Sequence, residues 1–473
     1  MNDAQRFTHG LLIIALAISS VTAYGQRGQK QTALKDGKPA PAPAPSQTIN
    51  VDFKDVKLKN GLRVLLVEDH SAPVVSIVIT FDVGSRNERK GHTQFAHLFE
   101  HLMTFNGSEN VGRYEVPFWI ETYGGAYNAG TTEDKTFYWA TVPSNQLDMI
   151  LFLESDPMRA LDVTQEGLDS ERKAVQEERL QKVDNQPYVK TLMKFQELMF
   201  ENFAYKHSGS GSMKDLNAAS LQDMKEFFRI YYGPNNAALA LVGDFKTDEA
   251  LAKIKKYFES IPAQPAPPKV DTTEPEQTAE RRFAMEDPFA RQTALLIGYK
   301  GIVDNTPDSY ALQVLNSALS RGRSSRLYQK LVKEKQLVTG ISASPTLFRG
   351  GGYYLISADV APGKKIEDIE AAINEEIERL QRQPVADWEL DKAKNSLRLG
   401  LIQLLRNSRN RAELLSAYAV FYNDPNLINT QFQKFAAVTK ADLQRVARKY
   451  LKSSNRTVAI IAPAKQQAGA QKQ

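Results

Sequence analysis

The sequence predicts an α+β fold built from two similar halves, each a mixed or antiparallel sheet packed with helices, related by duplication. Three observations predict it. LQDMKEFFRIYYGPNNAALALVGD at 221–244 reads as an amphipathic helix followed by an apolar strand, and KADLQRVARKYLKSSNRTVAIIAP at 440–463 repeats that order with an Asn after the Tyr in both. The runs GLRVLLVED (61–69) and VVSIVITFDVG (74–84) are apolar and β-branched, as expected of paired strands, while helical periods dominate 92–122 and 144–204. IPAQPAPPKVDTTEPEQTAE at 261–280 has too few apolar residues to pack and divides the two bodies.

In chain order, residues 1–25 read as a signal peptide: Arg6 and His9 precede the apolar run LLIIALAISSV (11–21), and the small residues Ala23 and Gly25 follow. That run is too short to span a bilayer. Export implies a periplasmic or secreted protein with no membrane span after signal removal. Residues 26–48 form a Pro/Ala-rich linker, 49–262 a first domain, 263–280 an interdomain linker, 281–465 a homologous second domain, and 466–473 a disordered tail.

Composition narrows the chemistry. The chain has 473 residues and no cysteine, so disulfides and a lipidated cysteine are excluded, and any metal must be held by His and carboxylate. The net charge of +5 concentrates in 26–48, where Arg27, Lys30, Lys35 and Lys38 face only Asp36. The remainder is nearly neutral, and nucleic-acid binding is not indicated.

Three of the six histidines lie in GHTQFAHLFEHLMTF (91–105). On a helix, Phe95, Leu98, Phe99, Leu102 and Met103 form one apolar stripe, and His97, Glu100, His101 and Thr104 fall on the other side. Residues four apart stand one above the other, so the imidazoles of His97 and His101 can grip one ion. Glu100 can then reach a water on that ion without being a ligand, which suits a general base. His92 lies off this side.

A catalytic zinc site usually has three protein ligands. LDSERKAVQEERLQK (168–182) offers the third: Leu168, Glu171, Val175 and Glu178 share an inward stripe, where two buried carboxylates would be costly without a cation. Glu177, about 100° around the helix, is the weaker candidate.

These residues resemble the pitrilysin/insulinase family of zinc peptidases, especially the compact branch that includes mitochondrial processing peptidase and bacterial relatives. The family carries H-x-x-E-H followed by a glutamate ligand within E-x-x-x-V-x-x-E; here 76 residues separate His101 from Glu178, and ERKAVQEE fits from Glu171 to Glu178. The resemblance implies that His97, His101 and Glu178 bind Zn2+, that Glu100 is the base, and that Glu171 supports the catalytic site from behind a ligand. It also implies two halves facing each other across a cleft. GGAYNAGTTEDKTFYWATV (124–142) looks like the family's substrate-edge strand, so Asn128, Ala129 and Thr131 would line an extended peptide.

The second half departs from the family pattern. SSRLYQKLVKEKQLVTGIS (324–342) is similar to a segment in which an Arg and, seven residues on, a Tyr hold the substrate, but Val332 and Thr339 occupy those positions. Val cannot donate a hydrogen bond, and Lys333, Lys335 or Arg326 could substitute only out of register. A heterodimer with a homologous subunit that lacks the zinc motif and brings the Arg/Tyr pair would explain this. RGGGYY (349–354) reads as a hairpin turn rather than a phosphate loop, and His207 as a loop residue.

The resulting expectation is a zinc endopeptidase for extended or unfolded peptides. The alternative is a peptide-binding, chaperone-like subunit with little proteolytic activity; a zinc hydrolase of non-peptide substrates is disfavoured only by the family likeness.

Overall fold

The computed structural model describes residues 50–464, so the expectations for 1–25, 26–48 and 466–473 lie outside the described residues. The first half contains strands β1 (Lys54–Lys57), β2 (Arg63–Glu68), β3 (Val74–Phe81), β4 (Ala126–Thr131), β5 (Thr136–Pro143) and β6 (Ala237–Gly243). Its helices are α1 (Phe95–Phe105), α2 (Glu115–Thr122), α3 (Leu147–Ala160), α4 (Gln165–Arg179), α5 (Val189–Met199), α6 (Phe203–Lys206), α7 (Met213–Ala218), α8 (Leu221–Tyr231) and α9 (Thr247–Phe258). The second half contains β7 (Arg281–Asp287), β8 (Ala294–Ile302), β9 (Val338–Thr346), β10 (Gly352–Val360) and β11 (Arg456–Pro463). Its helices are α10 (Pro307–Ser320), α11 (Ile366–Arg382), α12 (Asp387–Leu405), α13 (Ser408–Tyr422), α14 (Leu427–Ala437) and α15 (Lys440–Tyr450).

The strand orders are β1-β2-β6-β3-β5-β4 and β7-β11-β8-β10-β9. Apart from β1 their orders and directions correspond strand for strand: β2 and β7 run parallel to β6 and β11, and every other pair is antiparallel. The closing units match at side-chain level. Ser220 and Thr439 cap α8 and α15 through Asp223 and Asp442. Asn236 Nδ2 donates to Tyr231 O at 2.8 Å and to Asp82 O, and Asn455 Nδ2 donates to Tyr450 O at 2.9 Å and to Lys300 O. The repeated Asn therefore ties each helix end to the neighbouring strand, which is a structural reason for its recurrence.

The pairing expected between 61–69 and 74–84 does not form. β6 enters between β2 and β3. All seven β6 residues are buried, and so are seven of the eight in β3. Strands buried on both faces belong at the centre of a sheet, and this long-range preference overrides the pairing of sequence neighbours.

Each half lends a helix to the other. Val75, Ile77, Ile79 and Phe81 of β3 face the first core, whereas Ser76 and Thr80 point the other way and bond Ser408 (2.9 Å) and Ser416 (2.8 Å) of α13. In return, Phe195 and Met199 of α5 pack on Ala294, Leu296, Ala459 and Ile461 of the second sheet. At the α13 contact these residues are small and polar, and at the α5 contact large apolar side chains fill the space.

Residues 262–279 carry no helix or strand, but they are held. Glu274 accepts from the buried Lys300 Nζ at 2.7 Å and from the backbone N–H groups of Glu201 and Asn202, and Gln277 donates to Ala279 O and Arg456 O. The segment's shortage of apolar side chains is thus made up by polar ties. RGGGYY does contain the β9–β10 hairpin turn, and it also docks on the first half: Arg349 N donates to Asp134 at 2.9 Å and Gly350 N to Tyr205 Oη at 3.0 Å.

Candidate metal centre

α1 has no side chain capping its own N-terminus, and Gln94 there adopts φ 70°. The buried Glu88 does the capping, accepting the N–H of Gln94 at 3.1 Å and of Ala96 at 2.9 Å, where the positive end of the helix dipole favours a carboxylate. His207 Nε2 lies 3.0 Å from that carboxylate and Nδ1 lies 2.7 Å from Phe203 O, so His207, in the bend after α6, is a half-buried and paired loop residue. Nearby, Gln94 Nε2 and the Arg179 guanidinium both donate to Ser210 O. One carbonyl thereby links the start of α1 to the end of α4.

The expected apolar stripe of α1 is buried throughout, and the opposite side meets α4. Leu168, Glu171 and Val175 are buried along α4, and the stripe continues to Glu178. The ring nitrogens of His97 and His101 and a Glu178 oxygen lie within 4.8 Å of one another. Glu178 Oε2 is 3.4 Å from His97 Nε2 and 3.1 Å from His101 Nε2. Tetrahedral zinc with ligand bonds of about 2.0–2.1 Å separates its donors by about 3.3–3.4 Å, close to the spacing of the Glu178 oxygen from each imidazole. Glu177 is exposed.

The electrostatics also suit a cation. Burial alone would lower the His101 ring, but Glu171 and Glu178 outweigh it and push it up to about 9. Burial would raise Glu178, yet His101, His97 and Lys182 hold it well below the usual carboxylate range. His101 Nδ1 is buried without a hydrogen bond and has Glu171 Oε2 at 3.6 Å behind it. Such a carboxylate behind a ligand imidazole fixes its tautomer and orientation. Glu171 therefore stands behind His101 and outside the three converging groups. Tyr114 Oη donates to it at 3.1 Å and Arg113 lies 3.5 Å from it, partners that lie more than fifty residues away in sequence.

Glu100 is buried and is not one of the three converging groups. Its Oε2 accepts from the Thr131 hydroxyl at 2.7 Å. Thr131 thus holds Glu100 as well as lying on β4. β4 is the last strand of its sheet, and its second edge has no strand partner among the described residues. Ala129 is buried, and Asn128 Oδ1 accepts its backbone N–H at 2.8 Å. A cavity of about 30 Å³ beside β4 is lined by Thr104, Ile120, Asn128 and Glu154, and burial pushes the Glu154 carboxyl up to about 7.

In the second half, Val332 packs on the core and the Thr339 hydroxyl donates to Asp359 O at 3.4 Å. Arg326 makes two 2.7 Å bonds to Glu389, and Lys335 pairs with Glu375 at 3.3 Å, so both are engaged where they stand; Lys333 is exposed. Among the described residues, no second-half side chain bonds His97, Glu100, His101 or Glu178.

The family model for insulinase, peptidase family M16, matches residues 63–211, and that for the peptidase M16 inactive domain matches 218–397. Zinc protease PqqE of Helicobacter pylori is 30% identical over 413 residues, covering 87% of this chain and 93% of that protein. The chain belongs to the M16 family. A crystal structure of a protease from Helicobacter pylori shares 30% identity and superimposes with a TM-score of 0.82 over 88% of this chain and 100% of the other. A putative M16-like peptidase from Alicyclobacillus acidocaldarius has the same fold at a TM-score of 0.77 and 18% identity, over 89% of this chain and 100% of that one. A probable mitochondrial-processing peptidase subunit beta of Arabidopsis thaliana is 24% identical over 416 residues, 86% of this chain and 77% of that protein. The two M16 matches do not follow the sheets strictly: the inactive-domain match starts before β6 of the first sheet and ends before β11 of the second.

Proposed function

We propose that this M16 chain is a zinc-dependent endopeptidase acting on extended or unfolded peptides. The observation that carries the reading is the convergence of His97, His101 and Glu178 within 4.8 Å of one another, with Glu100 held by Thr131 and outside the trio. A Zn2+ ion held by these three residues supplies Lewis-acid polarisation of a water and of the scissile carbonyl. Glu100 accepts the proton that the attacking water loses and delivers it to the leaving amine. Glu171 keeps His101 oriented, and the free edge of β4, from Asn128 through Ala129 to Thr131, takes the peptide main chain as an added strand.

The active form in this reading is a heterodimer. Val332 and Thr339 supply no Arg/Tyr pair, Arg326 and Lys335 are engaged elsewhere, and the segment 218–397 that contains them matches a model described as an inactive domain. The partner is a homologous subunit carrying those donors, and the assembly works after export, in the periplasm or outside the cell. The same observations favour a second reading, a peptide-binding subunit with little turnover of its own. Purifying the chain alone and with a homologous candidate, then measuring bound zinc and hydrolysis of a quenched peptide, separates them. Turnover only with the partner supports the dimer, full turnover alone contradicts it, and peptide binding without turnover in either form supports the second reading.

A further inference from the structure

The helix α2 carries an outward face that the peptidase reading leaves unused. Tyr114, Phe118, Trp119 and Tyr123 are 48%, 57%, 38% and 44% exposed, four aromatic rings within ten residues. Phe118 meets Trp119 edge-on at 5.2 Å between ring centres, and Trp119 stacks on Tyr123 at 6.3 Å, so these three rings form one continuous ledge. A clustered apolar surface of this kind on a soluble chain marks a place where something docks.

What docks follows from where the ledge lies. Tyr114, at the start of α2 and one turn before Phe118, bonds Glu171 behind His101, so the helix that carries the ledge begins beside the candidate metal centre. At the other end α2 turns through Gly124 and Gly125 directly into β4, on which it packs. Its inward residues Val116 and Ile120 line the cavity shared with Thr104 and Asn128. A strand added to the free edge of β4 therefore runs past α2, with alternate side chains directed toward the helix layer.

Main-chain bonding to an edge strand does not discriminate between side chains. Aromatic and large aliphatic side chains are buried in folded proteins and exposed in unfolded ones, and they are what an aromatic ledge retains from water. We propose that Phe118, Trp119 and Tyr123 form a side-chain subsite that selects extended peptide segments bearing aromatic or large aliphatic residues. This rests on the reading of β4 as the peptide-binding edge.

The test uses the full chain carrying Glu100→Gln, so that binding is read without hydrolysis. Two fluorescein-labelled peptides of equal length are titrated by anisotropy, one with Phe and Leu at alternate positions and one with Ser and Gln there. The inference expects tighter binding of the apolar peptide and a roughly tenfold loss of that preference in a Phe118→Ser, Trp119→Ser variant whose bound zinc is unchanged. Equal affinities, binding of neither peptide, or a preference that survives the substitutions overturns it. So does a change in sedimentation with peptide affinities intact, which would assign the ledge to a partner chain. Incubating the same peptides with the unsubstituted chain tests hydrolysis separately: selective binding without cleavage would leave the ledge standing and remove the peptidase reading.

Discussion

The Thr131 hydroxyl donates a 2.7 Å hydrogen bond to Oε2 of Glu100, joining the edge strand that would carry substrate to the carboxylate that would carry the proton. A hydrogen bond to a charged group is worth about 1.5–3 kcal/mol. Thr131→Val should therefore lower kcat by about 10- to 100-fold, with bound zinc unchanged, because the carboxylate loses the contact that orients it. Thr131→Ser keeps the hydroxyl and should restore most of the rate. Equal kcat for the Val variant and the unsubstituted chain would show that the contact does not orient the base.

The two carboxylates of α4 should separate by metal retention. Glu178→Gln removes a converging donor and should leave the chain free of zinc after dialysis against a weak chelator. Glu171→Gln alters only the group behind His101 and should weaken zinc by about 10- to 100-fold. Exposed Glu177→Gln should change nothing. If Glu177→Gln instead loses zinc, the ligand assignment moves by one residue.

α13 is fastened to the first half partly by Asp69, whose carboxyl is pulled down to about 2 by the Arg411 guanidinium, with help from Ser71. A carboxyl lowered on folding adds stability above its unfolded value of about 3.9, and that stability is lost as pH falls toward 2. Asp69→Asn should lower the thermal midpoint by roughly 1–2 °C near pH 6. The gap should close as pH drops from 4 to 2. A constant gap across that window would mean that the ion pair is not its source.

Gly350 sits where the β9–β10 hairpin meets the first half, and a Cβ there would lie 2.7 Å from the Tyr205 ring and overlap Thr272. Neither neighbour is the end of a flexible chain. Gly350→Ala should cost about 1–3 kcal/mol, read as a lower urea midpoint with an unchanged slope. Gly351→Ala meets no atom within 4 Å but has φ 137°, so it should be destabilising through backbone strain alone. A Gly350→Ala chain as stable as the unsubstituted one would remove the close docking of the hairpin.

What was legible in the sequence was what is local. The stripe opposite His97 and His101 is a helical period, and the α4 stripe through Glu171 and Glu178 is another, so both helices and their inward faces could be read directly. The repeat was legible because each half carries the same helix, turn and strand late in its sequence, α8 to β6 and α15 to β11. The contacts that complete the site were not, because they join distant segments: Thr131 to Glu100, Tyr114 to Glu171, and His207 to Glu88. The reciprocal placement of α5 and α13 left only a faint trace, the small polar residues Ser76 and Thr80 within an apolar strand. Local rules also misplaced β2 beside β3, since nothing near them announces that β6 will enter between.

The central claim is that His97, His101 and Glu178 hold the metal while Glu100 moves the proton. Glu100→Gln tests it most directly, by bound zinc per chain and hydrolysis of a quenched peptide measured on one preparation, with the homologous partner present if turnover requires it. The account predicts zinc retained at the level of the unsubstituted chain and hydrolysis reduced to background. Turnover that survives the substitution would remove Glu100 as the base, and loss of zinc would make it a ligand.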